Sequence, residues 1–255
     1  MGDRYIKQAL FSEKLNPAAF AKMIPATLPD GEMLGEQDKD LLIAAKNSGA
    51  KSKKANIAAI VLAAGVGSRS GRNKLMIEVE EELPLFMKAV NAAIASDASP
   101  VFVITGYRDE EMSEYLDKVD VNVIYNPAYR SGVKTSIDLG IKSVPGFCDG
   151  AMIIPSDMPN VTAADINKLI ASFKKDSEKQ LCLFSHKGVK SNPVIWSKVL
   201  YDKADIVPEN ASLRPVFMEH ADYTNVVEVK GTDKLLDVNF PSDIDKVALK
   251  KDKAD

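Results

Sequence analysis

From residue 57 onward, short apolar runs alternate with segments of helical periodicity. The first run, IAAIVL (57–62), is continuously apolar, which is typical of a strand that is buried on both faces. Strands that alternate with helices favour a parallel or mostly parallel sheet with helices on both sides. The other strands predicted in this way are VFVIT (101–105), VNVIY (121–125), AMIIP (151–155), LCLF (181–184), NVVEV (225–229) and LLDV (235–238).

Apolar residues at helical spacing occupy the intervals between these strands. We therefore predict an α/β protein with a three-layer αβα, Rossmann-like architecture and a mostly parallel mixed sheet. Ligands of such sheets bind beyond the carboxyl ends of the strands. Thr162 is expected to cap one helix, with Asp165 three residues further on. The predicted helices span 84–96, 109–119, 133–144, 162–175 and 242–250.

The first 56 residues have a different character. Their short helical patterns are interrupted by turn-forming residues, and they end in NSGAKSKKAN (47–56), which is small and basic like a linker. We predict a small helical N-terminal extension with a basic linker (1–56), followed by the main domain (57–255).

Charge and apolar content argue against several classes of function. A net charge of −3 argues against a nucleic-acid surface. No apolar run approaches the ~18 residues that span a bilayer, and we expect a cytoplasmic protein. Cys148 and Cys182 have no partner at metal-binding spacing, which favours buried or incidental thiols in a reducing compartment. His186 and His220 are interpreted as structural or surface residues.

The segment VLAAGVGSRSGRNK (61–74) places three glycines and three cations directly after the first strand. A Walker A loop requires GxxxxGK[ST], and the spacing of Gly65, Gly71 and Lys74 does not fit it. A dinucleotide fingerprint requires GxGxxG, and the third glycine comes one residue late. The pattern LAAGxGxRxGxxK fits at every fixed position.

The chemistry of this loop suits a triphosphate. Glycines let the backbone approach a phosphate closely, and consecutive N–H groups in a tight loop form a concave anion site. Arg69 can donate paired hydrogen bonds to phosphate oxygens, and Lys74 supplies a point charge. The alternative is an ordinary turn with exposed basic residues.

A second polar cluster follows the strand 151–155. Asp157 lies at the carboxyl end of that strand, shortly before Pro159, where a carboxylate can meet a cation in the crevice. Mg²⁺ prefers a few carboxylate ligands together with the phosphate oxygens of a substrate. The alternative is a turn or cap aspartate.

Six separated segments carry a family resemblance: LAAGVGSRSGRNK (62–74), VITGYRDEE (103–111), YNPAYRSGVKTSI (125–137), PSDMPNVT (155–162), SNPVIW (191–196) and LLDVNFPSD (235–243). In their order and spacing they resemble the nucleotidyltransferase-fold pyrophosphorylases, and among these the molybdenum cofactor cytidylyltransferase family. The resemblance implies a nucleotidyltransferase fold. Ala64 favours cytidine, because the guanylyl-transferring relatives usually have a glycine there.

The resemblance also implies how Mg²⁺ would be held. Asp157 matches an aspartate that is a magnesium ligand in the family, and a second ligand normally comes from a DxDTP segment. This chain reads DVNFP (237–241), so that Asp237 matches the first aspartate and Asn239 stands at the second. Two interpretations stay open. In the first, Asn239 coordinates Mg²⁺ through its carbonyl oxygen. In the second, Asn239 is not a ligand, and either Asp237 replaces it or the metal site is impaired.

By the same resemblance, nucleotide and acceptor have separate binding segments. Arg69, Lys74 and Asp157 are implied as the catalytic residues. The nucleotide is expected to contact Leu62, Ala63, Ala64, Gly65, Gly67, Ser68, Arg69, Lys74, Thr105, Gly106, Gly132, Thr135 and Ser136. The acceptor is expected to contact Asn192, Pro193 and Arg214.

The implied function is the Mg²⁺-dependent transfer of CMP from CTP to molybdopterin cofactor, with release of pyrophosphate. The implied partners are these two substrates and a recipient molybdenum hydroxylase, with no nucleic acid and no membrane. One open alternative is a nucleotidyltransferase that uses another nucleoside triphosphate or a sugar phosphate acceptor. The other is a relative that binds nucleotide or cofactor without catalysis, which the DVNFP departure motivates.

Overall fold

A computed structural model of the chain describes residues 56–66, 74–79, 83–175, 180–201, 221–229, 235–238 and 243. Within these residues, one sheet contains seven strands. They are β1 (Ile57–Leu62), β2 (Val101–Thr105), β3 (Asn122–Tyr125), β4 (Gly150–Pro155), β5 (Leu181–His186), β6 (Val189–Ser197) and β7 (Thr224–Glu228). Their order across the sheet is β3-β2-β1-β4-β6-β5-β7.

Most neighbouring strands of this sheet are parallel. β1 pairs in parallel with β2 and β4, and the pairs β2–β3 and β5–β7 are parallel too. β6 runs antiparallel to both of its neighbours, β4 and β5. The prediction of a mostly parallel mixed sheet is confirmed. The carboxyl ends of the first four strands consequently lie at one edge of the sheet, together with the polar segments that follow them.

The antiparallel strand β6 is not among the strands that the sequence predicts. Its segment SNPVIW (191–196) contains a proline, which argues against a strand in the interior of a sheet. The register between β5 and β6 shifts between Leu183 and Phe184. Asn192 and Pro193 fall in the resulting bulge, where the missing N–H of proline does not interrupt the ladder.

The prediction of a strand at LLDV (235–238) is wrong. Among the described residues the segment forms no strand, and a backbone hydrogen bond from Val238 N–H to Asp157 O, at 2.9 Å, joins it to the loop after β4. Val238 is buried, whereas Asp237 is exposed. The apolar residues that suggest a strand serve here to dock an irregular segment beside the sheet.

The described α-helices cover both faces of the sheet. They are α1 (Leu85–Ile94), α2 (Asp109–Leu116), α3 (Val133–Ser143) and α4 (Ala163–Lys175). Alternate residues of β1 belong to different hydrophobic clusters. Ile57, Ala59 and Val61 pack with α1, α2 and α4, whereas Ala58 and Ile60 pack with α3. The three-layer prediction is confirmed, because successive side chains of the strand point to opposite faces of the sheet and contribute to a hydrophobic core on each face.

The start of α4 is fixed by the predicted cap. Asp165 Oδ2 accepts hydrogen bonds from the Thr162 N–H at 3.1 Å and from the Thr162 hydroxyl at 2.6 Å. The Asp165 N–H donates back to Thr162 Oγ1 at 3.3 Å. This reciprocal pair satisfies backbone donors that would otherwise be unpaired at the helix start.

Two sequence predictions fall almost wholly outside the described residues. Of the helical extension 1–56 only Asn56 is described, and of the closing helix 242–250 only Asp243. In the part of the chain that the structure describes, no helix combines the length and the apolar character that crossing a membrane requires.

Candidate active site

The carboxyl end of β1 is bonded to the strands on both sides of it. The N–H of Ala63, directly after β1, donates to Ile104 O of β2 at 2.8 Å. On the other side, the Ser156 hydroxyl, directly after β4, donates to Leu62 O at 2.6 Å. These bonds fix the first residues of the glycine loop between two strand ends, where a ligand crevice is expected.

Lys74 and Asp157 meet in this crevice. The Lys74 ammonium donates to Asp157 Oδ2 at 2.7 Å and to Val238 O at 2.7 Å. Both side chains are largely shielded, since 16% of the lysine and 24% of the aspartate are exposed. Together with the bond from Val238 N–H to Asp157 O, these contacts bring three distant segments of the chain to one point.

Asp237 lies within electrostatic reach of this pair. Desolvation raises its pKa, the negative charge of Asp157 raises it further, and Lys74 opposes the rise, so that the pKa of Asp237 is about 6. Solvent still reaches the residue, and screening therefore limits the cost of placing two carboxylates together.

The oxygens in this crevice suit a hard divalent cation. Asp157 presents a carboxylate here beside the Lys74 ammonium, and Asp237 presents a second one close enough to sense the charge of Asp157. Mg²⁺ is usually held by one or two carboxylates together with substrate phosphates. No cluster of three or more His, Cys, Asp or Glu residues that could cage a metal occurs among the described residues. The residues present fit a cation that is shared with a bound triphosphate.

The described part of the glycine loop leaves open space beside Gly65. Ala63 and Ala64 are buried, whereas Gly65 is exposed, and a Cβ at Gly65 would meet no atom within 4 Å. Gly65 is thus the first loop residue with room for a ligand beside its backbone. Three other predicted nucleotide contacts lie outside the described residues, namely Gly67, Ser68 and Arg69.

The loop after β2 packs tightly against the loop after β1. A Cβ at Gly106 would lie 2.7 Å from Tyr129 Cβ and 2.9 Å from Ala64 Cβ, closer than real side chains approach. Thr105, the residue before it, is fully buried, and its hydroxyl donates to Asp109 at the start of α2. Gly106 therefore allows the close approach, while the Thr105 side chain is bonded within the protein.

The start of α3 is organised by a residue that the sequence analysis missed. Gly132 precedes the helix with φ of 115°, which favours glycine. The buried Asn126 donates from Nδ2 to Thr135 Oγ1 and to Ser136 Oγ, at 2.9 Å each. Ser136 is buried and Thr135 is partly exposed. Both hydroxyls that are predicted to contact the base are thus positioned by Asn126, the first residue after β3.

The predicted acceptor segment lies in the bulge of β6. Ile153 pairs with Val194, which places Asn192 level with the carboxyl end of β4. Asn192 Oδ1 is buried and accepts no hydrogen bond from the described residues. Buried acceptors without a donor are rare in proteins, so this oxygen is a candidate to receive a donor from a ligand. Pro193 is buried beside it, and Arg214 lies outside the described residues.

The remaining sequence predictions concern histidines and the second metal ligand. His186 Nδ1 lies 3.0 Å from Val229 O, a structural contact at the end of β5. His220 and Asn239 lie outside the described residues.

Comparison with known proteins identifies a family. The profile of the MobA-like NTP transferase domain matches residues 59–223. Molybdenum cofactor cytidylyltransferase of Escherichia coli (strain K12) is 29% identical over 185 residues, which are 72% of this chain and 91% of that protein.

Two solved structures show the same fold. A nucleotidyl transferase from Methanothermobacter (Mth528) aligns with a TM-score of 0.68 and 20% identity, over 78% of this chain and 99% of that chain. Rv0371c from Mycobacterium tuberculosis H37Rv, in complex with manganese, aligns with a TM-score of 0.60 and 16% identity, over 77% of this chain and 99% of that chain.

The matched region runs from β1 to the residue before β7 and contains both Lys74 and Asp157. It covers well over half of the chain. The chain therefore belongs to the MobA-like NTP transferase domain family and is a nucleotidyltransferase.

Proposed function

We propose that this nucleotidyltransferase transfers CMP from CTP to molybdopterin cofactor and releases pyrophosphate. The observation that carries the proposal is the convergence of Lys74, Asp157 and the segment 235–238 at the carboxyl ends of β1 and β4. The 29% identity to a molybdenum cofactor cytidylyltransferase supports the choice of both substrates. Ala64 agrees with cytidine by family resemblance.

Asp157 would hold a divalent cation, which we propose to be Mg²⁺, together with a second oxygen from the segment 237–239. Asp237 is close enough to Asp157 for its pKa to respond to that charge, which supports it as the second ligand. Asn239 is the alternative. When bound, the cation supplies positive charge to the triphosphate and to the phosphoryl group in transfer. The manganese in the related Rv0371c structure supports a divalent metal at this fold.

Lys74 supplies a second positive charge in the same crevice. Its ammonium now bonds to Asp157 at 2.7 Å, and its flexible stem lets it turn toward a phosphate oxygen once that carboxylate is occupied. Arg69, by resemblance, would bind the departing pyrophosphate. Fixed positive charge stabilises the negative charge that moves onto the leaving group.

The reaction requires no covalent protein intermediate. An oxygen of the acceptor's terminal phosphate bonds to the α-phosphorus of CTP, and the bond to the bridging oxygen of the β-phosphate breaks in line. Pyrophosphate leaves with that electron pair. The chain positions the two substrates and offsets their charge. Asn192 Oδ1, with no donor among the described residues, would accept a hydrogen bond from the acceptor.

We also propose that the protein works in the cytoplasm. Cys148 and Cys182 are both free and buried, and burial raises the pKa of each thiol to about 12. Free thiols are typical of a reducing compartment. A recipient molybdenum hydroxylase stays a prediction of the resemblance.

Pyrophosphate release tests the proposal. The purified chain is incubated with Mg²⁺, molybdopterin cofactor and one nucleotide at a time, from CTP, GTP, ATP and UTP. We expect release with CTP that depends on the acceptor and disappears with a chelator or in Asp157→Asn. Equal release from GTP would contradict the cytidine assignment. Release by Asp157→Asn at the wild-type rate would contradict the assigned site.

A further inference from the structure

Val238 is the point at which three segments of the site meet. Its N–H donates to Asp157 O at 2.9 Å, and its carbonyl accepts from the Lys74 ammonium at 2.7 Å. One residue therefore bonds through its backbone to the aspartate that is proposed to bind metal and to the lysine that is proposed to bind phosphate.

The side chain of Val238 fills a small hydrophobic cluster of its own. It is fully buried against Leu85, with Val79 and Leu236 partly buried beside them. This cluster is separate from the two larger clusters on the faces of the sheet. Burial of a valine side chain is a favourable contribution that does not depend on any ligand.

The cluster is continuous with the segment that carries Lys74. After the short 3-10 helix Lys74–Met76, the chain folds back on itself. Val79 N–H donates to Leu83 O at 3.0 Å, and Leu85 N–H donates to Ile77 O at 2.8 Å. The pocket that receives the Val238 side chain is therefore built on the same small hairpin that begins at Lys74.

The segment 235–238 lacks the backbone ladder that fixes the strands of the sheet. Among the described residues 235–238, Val238 is the one whose side chain is fully buried, and we infer that this burial holds the segment in its place beside Asp157. Mg²⁺ demands nearly ideal octahedral geometry, so small displacements of a ligand weaken binding. Asp237 and Asn239, the two candidates for the second ligand, flank Val238 in the sequence.

We propose that Val238 is a positioning residue that sets the distance between the two proposed sources of metal ligands, namely Asp157 and the segment 237–239. Its side chain packs the segment 235–238 against the hairpin that begins at Lys74, and its backbone N–H bonds the same segment to Asp157 O. This inference rests on the proposed function, because it presupposes a cation at Asp157.

Val238→Ala tests the proposal, because it removes the buried side chain and keeps both backbone bonds possible. Mn²⁺ is titrated into the full-length wild type and variants without nucleotide, and free Mn²⁺ is measured by electron paramagnetic resonance. We expect the Kd for Mn²⁺ to rise about fivefold to tenfold, because ligands that are displaced from their places no longer match the coordination geometry of the cation. Val103→Ala is the matched control, because Val103 is equally buried but lies in the middle of β2.

The control separates positioning from general loss of stability. Both variants should lower the melting temperature, whereas only Val238→Ala should weaken Mn²⁺ binding. Leu85→Ala opens the same pocket from the other side and should weaken binding similarly. The double variant should then show less than the sum of the two effects, because the two residues form one contact. Leu85→Val replaces it if the alanine variant does not fold.

Each outcome has a distinct meaning. If Val238→Ala binds Mn²⁺ within twofold of the wild type while Asp157→Asn loses binding, the inference is overturned and the proposed metal site stands. If Val103→Ala weakens binding as much as Val238→Ala, the effect is general and the inference is overturned. If Asp157→Asn binds as well as the wild type, the metal site and the inference both fall.

Discussion

At Lys74, one ammonium group bonds to the carboxylate that is proposed to hold the metal. The distance from Lys74 Nζ to Asp157 Oδ2 is 2.7 Å, across 83 positions of sequence. The family resemblance implied Lys74 and Asp157 as members of one site, and both follow predicted strands of the sheet. The ion pair itself was not predicted. The family pattern assigns the lysine to a phosphate of the substrate and does not indicate which residue the lysine contacts when no substrate is bound.

Lys74→Met should separate metal binding from catalysis. Removing the ammonium frees Asp157 Oδ2, so that Mn²⁺ should bind several-fold more tightly while pyrophosphate release falls roughly 100-fold. The matched control is Lys134→Met, because Lys134 pairs with Asp138 and 16% of its side chain is exposed, as for Lys74. Calorimetric Mn²⁺ titration and a pyrophosphate assay measure the two effects. Unchanged turnover in Lys74→Met would rule out a role for the lysine in transfer.

Asp237 should make stability depend on pH. Its folded pKa of about 6 lies above the ordinary value of 3.8. Between these values the native state holds the extra proton, so stability is greatest at low pH and falls as pH rises toward 6. Because Asp237 is exposed, we expect a loss of at most about 1 kcal/mol.

Urea unfolding in the presence of a chelator, from pH 4 to pH 7, measures this effect. Asp237→Asn should flatten the profile and be more stable than the wild type above pH 6, because it removes a charge that faces Asp157. A wild-type profile that rises through this range, with Asp237→Asn following the same curve, would show that Asp237 does not sense Asp157.

Among the elements, the loops after β1 and β2 illustrate how packing supports a ligand site. Gly106 lets these loops touch, since a Cβ there would lie 2.9 Å from Ala64 Cβ. Gly106→Ala should destabilise the fold by about 1–3 kcal/mol through overpacking and should also weaken nucleotide binding. Gly146→Ala is the control, because a Cβ at Gly146 would meet nothing within 4 Å.

Urea denaturation and the thermal shift produced by CTP measure the two consequences. Gly146→Ala should leave the CTP response unchanged, whereas Gly106→Ala should reduce it. If both variants respond to CTP like the wild type, the loop after β2 does not shape the nucleotide site.

The elements differ in how well the sequence predicts them. IAAIVL and VFVIT are continuous apolar runs, and the structure has strands at the same bounds, Ile57–Leu62 and Val101–Thr105. β6 escaped prediction because Pro193 argues against a strand, and the bulge that accommodates it depends on the pairing of β5 with β6. LLDV misled because a local apolar run cannot distinguish a sheet ladder from a docked irregular segment.

At the scale of the whole molecule, the described strands form one sheet, and a hydrophobic cluster lies on each of its faces. The sequence predicts this architecture because period-two burial and helical periodicity are local patterns. The Val238 cluster joins residues that are far apart in the sequence, such as Leu85 and Val238, so no local pattern could predict it. The hydrogen bonds of Asn126 are made by common polar residues that have no distinctive sequence pattern.

Removal of residues 1–55 should leave the fold intact. Asn56 is retained because its N–H donates to Asp149 Oδ2 at 2.9 Å. The shortened chain should keep its melting temperature within about 3 °C and keep its CTP response, since the match to the family domain begins only at residue 59. Calorimetry and CTP thermal shifts measure both. Loss of cooperative unfolding would show that the segment is part of the main domain.

The most direct measurement is anomalous diffraction from crystals grown with Mn²⁺ and a CTP analogue that cannot be cleaved between the α- and β-phosphates. The account predicts an anomalous peak bonded to the Asp157 carboxylate at about 2.2 Å and to a phosphate oxygen, with the Lys74 ammonium turned from Asp157 to the triphosphate. A triphosphate bound elsewhere, with the bond between Lys74 and Asp157 intact and no metal beside it, would contradict the account.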